Sequence, residues 1–478
     1  MRTNTIRDLQ SAIAGKTINL TIGFLLLVVV STIAIQGNYA KPGKVIEWDI
    51  ISYYAYLPAV FIHQDLNFEF REKDIEKYGE IIWPIRSPIG KNTIITSMGM
   101  SILYAPFFFL GHVSALLGPW EADGYSLPYR FALSFSIFFY LIPGFIFLAK
   151  ILKRYFDEKV AAFTLIAVLL GTNLLYYATD EGPMSHAYNF ALITIFIWTT
   201  IRFYDKPGLA RIILAGALAG LIALIRPTNI LVLIIFFLWD IRSWNDMKQR
   251  FRFFLKRYYW VLLMAGAFIL VWVPQMIYWH WATGQIFFFS YGLKHERFYF
   301  DNPQIFNILF SYKKGWFVYT PIMLFAIAGM FTLPQKLKGI ILPFTIFTFL
   351  NIYILSSWWS WWFGGSFGLR AFIDTYGLMA IPLAAFISYT FHRKKPKKII
   401  LTGTLVLLII FNLFQTWQYR KGLIHWELMN KEAYWSNFLR TTYGPGYWEA
   451  LEREEKDHQK LYAPPEESQS NSNEKGLE

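Results

Sequence analysis

The chain has 478 residues, 55% of them hydrophobic and only 16% charged, well under the roughly one quarter charged that an average soluble domain carries. It contains no cysteine, which rules out a disulfide framework and a thiolate metal site. The net charge of +13 would suit either a nucleic-acid binder or a membrane protein with basic inner loops, and the position of those charges decides between the two.

Apolar runs occupy about 18–36, 127–149, 160–178, 184–201, 212–225, 230–241, 258–280, 318–334, 339–355, 374–391 and 399–417. Most approach the ~20 residues that cross a bilayer's hydrocarbon core. The first lacks the flanking small residues of a cleavable signal and reads as an anchor. With the N-terminus inside, the inner segments are 1–17, 150–159, 202–211, 242–257, 335–338 and 392–398. Together they hold 23 of the 45 Lys and Arg but only five acids, Asp8, Asp157, Glu158, Asp205 and Asp246. Basic residues are thus spread loop by loop, as in a membrane protein, and no single patch exists for nucleic acid.

This scheme requires the apolar stretch 95–117 to lie at the outer interface or to re-enter, because a further span would reverse every later loop. It also divides 212–241 into two short helices meeting near Arg226-Pro227, where proline withholds a backbone donor and turns the preceding residue from helix. The expectation is an all-α membrane protein of about eleven spans, with a transmembrane unit over 1–420. Its outer segments are 37–126, 281–317, a Trp-rich 357–373 and a C-terminal tail over 421–478, disordered beyond Ala463. Material concentrated on one face marks that face as the working one.

Four groups of residues on that face could carry chemistry. Glu47-Trp48-Asp49 follows the first span, and two acids one residue apart could hold a cation together or divide base and orienting roles; the plain alternative is a pair of solvated loop acids. Asp180-Glu181, with His186 close behind, lies where two spans meet, a costly place for ionisable groups unless they border a polar cavity. Helix capping is the competing role there. Arg226, between two apolar runs, suits a cavity or an anionic partner better than lipid, and its planar fork matches a phosphate. The fourth group is Trp358-Trp359-Ser360-Trp361-Trp362-Phe363-Gly364-Gly365-Ser366-Phe367-Gly368-Leu369-Arg370, followed by Asp374. Its indoles fit an interfacial belt, its glycines permit close backbone approach, and Arg370 could reach a phosphate. The run Lys294-His295-Glu296-Arg297 is a weaker candidate, since a charge run is commonly a solvated face. No phosphate-binding loop, dinucleotide fingerprint or zinc-protease motif occurs.

Asp49-Ile50-Ile51-Ser52-Tyr53-Tyr54-Ala55-Tyr56-Leu57-Pro58, Asp180-Glu181, Leu224-Ile225-Arg226-Pro227-Thr228-Asn229 and Trp361 to Arg370 stand in an order that resembles the C-type (GT-C) polytopic glycosyltransferases. These are the superfamily of protein O-mannosyltransferases and lipid A aminoarabinose transferases, here in a bacterial branch, and the resemblance covers roughly residues 15–420. It implies a polyprenyl-phosphate sugar as donor, a hydroxyl acceptor and a bacterial inner-membrane protein with a cytoplasmic N-terminus and an extracytoplasmic active face. By residue it implies Asp49 as catalytic base, assisted by Glu47 and Asp180. Glu181, like Asp180, could hold the acceptor or orient the base. Arg226 and Arg370 are assigned to the leaving phosphate by their own chemistry, and His186, Tyr53 and Tyr54 are further substrate-binding candidates. No cofactor is required; a divalent cation could sit between Glu47 and Asp49. The chain departs from the O-mannosyltransferases in carrying Glu47-x-Asp49 where they have adjacent Asp-Glu, and in lacking their His-Pro-Pro-Leu segment, near which Ile85-Arg86-Ser87-Pro88-Ile89-Gly90 stands. Protein as acceptor is therefore in doubt. A transporter or flippase for a lipid-linked or anionic substrate is the competing class, and it predicts broken helices and polar groups at mid-membrane.

Overall fold

The computed structural model describes residues 2–294 and 296–462, with side chains over 15–294 and 296–456. His295 and the tail beyond Ala463 lie outside the described residues. The fold is helical almost throughout, and its one sheet is a two-residue antiparallel pair, Ile85–Arg86 with Asn92–Thr93. Seven helices among the described residues are long and apolar enough to cross a membrane: Gly15–Ala40, Gly99–Leu117, Leu127–Lys153, Tyr258–Thr283, Gln335–Ser356, Arg370–Phe391 and Lys395–Arg420.

Of the remaining apolar runs, 184–201 forms the continuous helix Ser185–Asp205, and the others are shorter or interrupted. The run 160–178 is divided between Glu158–Leu170 and Leu174–Thr179. Thr172 Oγ1 accepts from the Leu174 amide at the break, which offers the backbone an alternative to the helical bond. The run 212–241 is divided as the proline demands: Leu209–Ile225 ends at Arg226, and a 3-10 turn Pro227–Leu231 leads into Val232–Leu238. Residues 242–257, expected as an inner loop, instead form the helix Trp244–Lys256. Its start is fixed by a reciprocal cap in which Ser243 and Asp246 each accept the other's backbone N–H, satisfying two amides that helix geometry leaves orphaned.

Gly99–Leu117 has the length of a span, yet it lies along only part of its neighbour. Gly111 sits against Tyr129, and Leu103 O accepts from Tyr140 Oη at 2.7 Å. Further along Leu127–Lys153, Gly144 packs on Ala191 of Ser185–Asp205 instead. The start of Gly99–Leu117 abuts the backbone of Leu224 and Ile225. Gly99–Leu117 is expected at the outer interface or as a re-entrant segment, and it is long and apolar enough to cross a membrane.

The tightest helix pair is Leu209–Ile225 with Tyr258–Thr283. Gly216 and Gly220, four apart, place bare backbone against Met264 and Phe268, and Trp272 Nε1 donates to Gly220 O at 3.0 Å. Small residues at this spacing let helix backbones touch, which is how packing substitutes for a hydrophobic drive inside a bilayer.

Contacts sort the loops into two ends. At the basic end the Ile18 amide donates to Glu158, Arg154 pairs with Asp205, and Arg242 reaches Lys336 O. At the opposite end Gln36 and Arg420 both bond Asp180, and Arg130 bonds Tyr39 O. Residues 421–456 are folded onto this second end. Lys431–Asn437 and the start of Tyr447–Tyr462 pack there, with Asn437 Nδ2 donating to Leu423 O and Asn430 Nδ2 to Ala450 O.

Candidate functional site

The second end holds a cavity of about 330 Å³. Its walls come from five distant segments: Asp49 and Tyr53, Ile95 to Ser97, Ile225 to Thr228, the stretch around Ser290 and the stretch around Trp358. The last two are stitched by backbone bonds, Tyr299 N to Ser357 O at 2.6 Å and Trp359 N to Arg297 O at 3.0 Å. Aromatic rings supply much of the wall, including Tyr53, Trp279, Phe289, Tyr291, Trp358 and Phe363. Four ionisable side chains face in: Asp49, Arg226, Glu296 and Arg370.

Asp49 opens the short helix Asp49–Tyr54, so its spacing of four from Tyr53 turns both side chains to the cavity. Asp49 Oδ2 accepts from Arg370 Nη2 at 2.7 Å, a charge-assisted bond. Among the described residues no hydrogen bond is recorded to its other oxygen. Trp48, just before, is held at φ 54°, ψ −132°, a strained conformation for a residue with a Cβ and one that persists at functional sites. Phe363 and Gly364 on the opposite wall also have positive φ, 58° and 66°. The Gly-rich loop after them ends at Gly368, φ 59°, where an added Cβ would come within 2.8 Å of Tyr319 Cβ. That close approach delivers Arg370 to Asp49.

Arg226 is positioned by a buried polar cluster. Asp374, with no exposed surface, accepts from Asn229 at 2.6 Å and Asn189 at 3.2 Å; His186 Nδ1 lies 2.9 Å from it and Arg226 Nε 3.7 Å. The second ring nitrogen of His186 is 3.4 Å from Arg226 Nη1. A carboxylate with three or four partners can be buried only because they replace its lost water. The guanidinium it holds lies over the Phe363 ring at 5.7 Å.

The other expected residues occupy different places. Glu181 is partly enclosed beside the Asp49–Arg370 pair and accepts from Tyr176 Oη at 3.2 Å. Burial pushes its carboxyl up to about 7 against the opposing pull of Arg370. His186 is one shell behind the cavity, in the Asp374 cluster. Asp180 does not line the cavity: Arg420 grips it with two bonds of 2.6 and 2.8 Å, and Gln36 and Thr179 complete its shell. Tyr54 faces away, donating to Gly124 O at 2.5 Å within a cluster of Tyr104, Phe108 and Tyr125. Glu47 is half-buried, and its charged neighbour is Lys44 at 4.0 Å. Glu47 and Asp49 thus have different cationic neighbours, Lys44 and Arg370. Among the described residues no three His, Asp or Glu side chains assemble to hold a metal ion.

Glu296, Lys314, Asn189, Asn229 and Trp426 also belong to the site or its support. Glu296 stood inside a charge run, and burial raises its carboxyl pKa. Lys314 is buried and donates to the carbonyls of Ser366 and Trp426; burial lowers its ammonium pKa to about 7. Asp374 carried the one readable signal, an acid within an apolar run.

No family model and no curated protein matches the sequence. Among solved structures, the chain is similar to the archaeal oligosaccharyltransferase AglB from Archaeoglobus fulgidus, determined in complex with an inhibitory peptide and a dolichol-phosphate. The identity is 11% and the TM-score 0.48, over 96% of this chain and 61% of that one. The chain thus corresponds to about three fifths of that protein's length.

Proposed function

We propose that the protein is an inverting glycosyltransferase that moves a sugar from a polyprenyl-phosphate donor to a hydroxyl acceptor at the outer face of a bacterial inner membrane. The carrying observation is the convergence of Asp49, Arg370 and Arg226 on one aromatic-walled cavity at the end opposite the basic loops. In this reading Asp49 takes the acceptor hydroxyl's proton as that oxygen bonds to the anomeric carbon. The bond from that carbon to the phosphate oxygen breaks on the far side, releasing polyprenyl phosphate. The departing oxygen gains negative charge, and a guanidinium already in place stabilises it without reorganising. Arg226, anchored by Asp374, is suited to that role. Arg370 holds Asp49 aimed through its 2.7 Å charge-assisted bond. No metal enters this scheme.

A transporter or flippase would need a passage between the two ends. Every residue lining the cavity belongs to a segment of the site end, which favours chemistry over transport.

The test is transfer by purified full-length protein from a panel of radiolabelled polyprenyl-phosphate sugars to membrane-extract acceptors, with Asp49→Asn in parallel. Loss of an oriented base costs about 10²- to 10⁴-fold, so label should pass with wild type and fall at least a hundredfold with Asp49→Asn. Transfer undiminished in Asp49→Asn would move the base to Glu296 or Glu181. No transfer by folded wild type from any donor would overturn the proposal.

A further inference from the structure

Beside Asp49, outside the cavity proper, three indoles from distant parts of the chain meet. Trp48 is stacked near Trp426, with ring centres 6.3 Å apart and planes at 26°, and stands edge-on to Trp83 at 6.5 Å. All three are open to solvent, with 61% of Trp48, 40% of Trp83 and 50% of Trp426 exposed. A contiguous apolar surface of this kind marks a contact site.

Each ring is held in place. Trp83 Nε1 donates to Glu80 O at 2.8 Å. The carbonyl of Trp426 accepts from the Ser366 amide at 3.1 Å and from buried Lys314, while its six-membered ring occupies the space a Cβ on Gly365 would need. Trp48 takes its position through the positive φ already described, and a backbone strained in that way persists only where the surroundings impose it. Trp48 and Trp426 keep their indole N–H groups without a recorded hydrogen bond among the described residues. Each therefore offers an apolar face and an open donor together.

We propose that this platform is an acceptor subsite for a carbohydrate, so that the hydroxyl transferred to belongs to a glycan. A pyranose has an apolar C–H face that lies flat on an indole and a rim of hydroxyls that accept from indole N–H, the two features presented here. Trp48 immediately precedes Asp49, so the platform adjoins the segment that carries the carboxylate. Lys44 and Glu47, on the segment that leads into Trp48, pair at 4.0 Å, and charge on that segment suits a hydrated sugar better than lipid tails. This inference rests on the glycosyltransferase reading for the purpose of the subsite, but binding can be read without transfer.

The experiment uses full-length protein in lipid nanodiscs and a panel of neutral tetrasaccharides of hexoses and N-acetylhexosamines, followed by saturation-transfer NMR and calorimetry. At least one should bind, at least tenfold more weakly to Trp48→Ala and to Trp426→Ala. Trp48→Phe should recover part of the loss, and Trp448→Ala, an exposed indole elsewhere, should bind as wild type does. The inference falls if no tetrasaccharide binds protein of normal melting temperature, or if the platform variants bind unchanged. It falls also if brominated lipid tails quench Trp48 and Trp426, compared through their Ala variants, because the rings would then be anchored in the bilayer. Transfer to a peptide or lipid acceptor with no saccharide binding would end this inference and leave the proposed function standing.

Discussion

Glu181 shows how one side chain registers the architecture around it. Its carboxyl is pushed up to about 7 from an ordinary value near 4.5, first by burial, with Arg370 opposing. Between those values the unfolded chain ionises at this position while the folded protein keeps its proton, so the group's stabilising contribution is lost as pH rises through the window. The melting temperature of the wild type, measured relative to Glu181→Gln, should fall between pH 4.5 and 7 and level off above 8. Parallel profiles for the two proteins would mean that Glu181 titrates like a surface carboxylate. Asp374 is the contrasting acid, since its asparagines, its histidine and Arg226 replace the water that burial removes. Side chains such as these were only half legible in the chain. An acid amid apolar residues signals a buried role, but the partner of Asp180 is 240 positions away at Arg420, and no local spacing reports such a pairing. The opposite facing of Tyr53 and Tyr54, by contrast, follows from helical geometry once Asp49 is taken as facing the cavity.

At the level of elements, hydropathy placed the helices because bilayer thickness and backbone hydrogen bonding leave a narrow range of lengths. With the proline it also placed the interruption at Arg226-Pro227, but not the one at Gly171 to Asn173. Thr172 and Asn173 break an apolar run because their polar side chains bind backbone and the loop at Phe367, a tertiary cause. The helix Trp244–Lys256 was concealed by its charge, although Ser243 and Asp246 stand at the spacing of a capping pair. The Gly216–Gly220 contact gives a direct test of helix packing. An added Cβ at Gly216 would collide with the Met264 backbone, forcing the two helices apart at a cost of about 1–3 kcal/mol. Gly216→Ala should therefore lower the melting temperature by several degrees, whereas Gly266→Ala, where an added Cβ meets nothing within 4 Å, should leave it within about a degree. Equal melting of both variants would show that this packing is looser than described.

For the whole molecule, the separation of basic loops from the cavity predicts sidedness. The absence of cysteine makes single introduced thiols unambiguous reporters. Lys431→Cys at the site end and Lys248→Cys on the helix of the basic end, both exposed, should be labelled by membrane-impermeant maleimide from opposite sides of sealed vesicles, Lys431→Cys from outside. Labelling of both from one side would undo the orientation proposed here. The lock between Trp426, Ser366 and Lys314 adds a consequence in time. Ribosomal synthesis delivers Asp49, Arg226 and Arg370 long before residue 426, and the loop carrying Arg370 meets its clasp only when that last segment arrives. A nascent chain arrested before Trp426 would hold all its charged groups and still lack a finished pocket. Completion of the pocket is thereby tied to synthesis of the last outer segment.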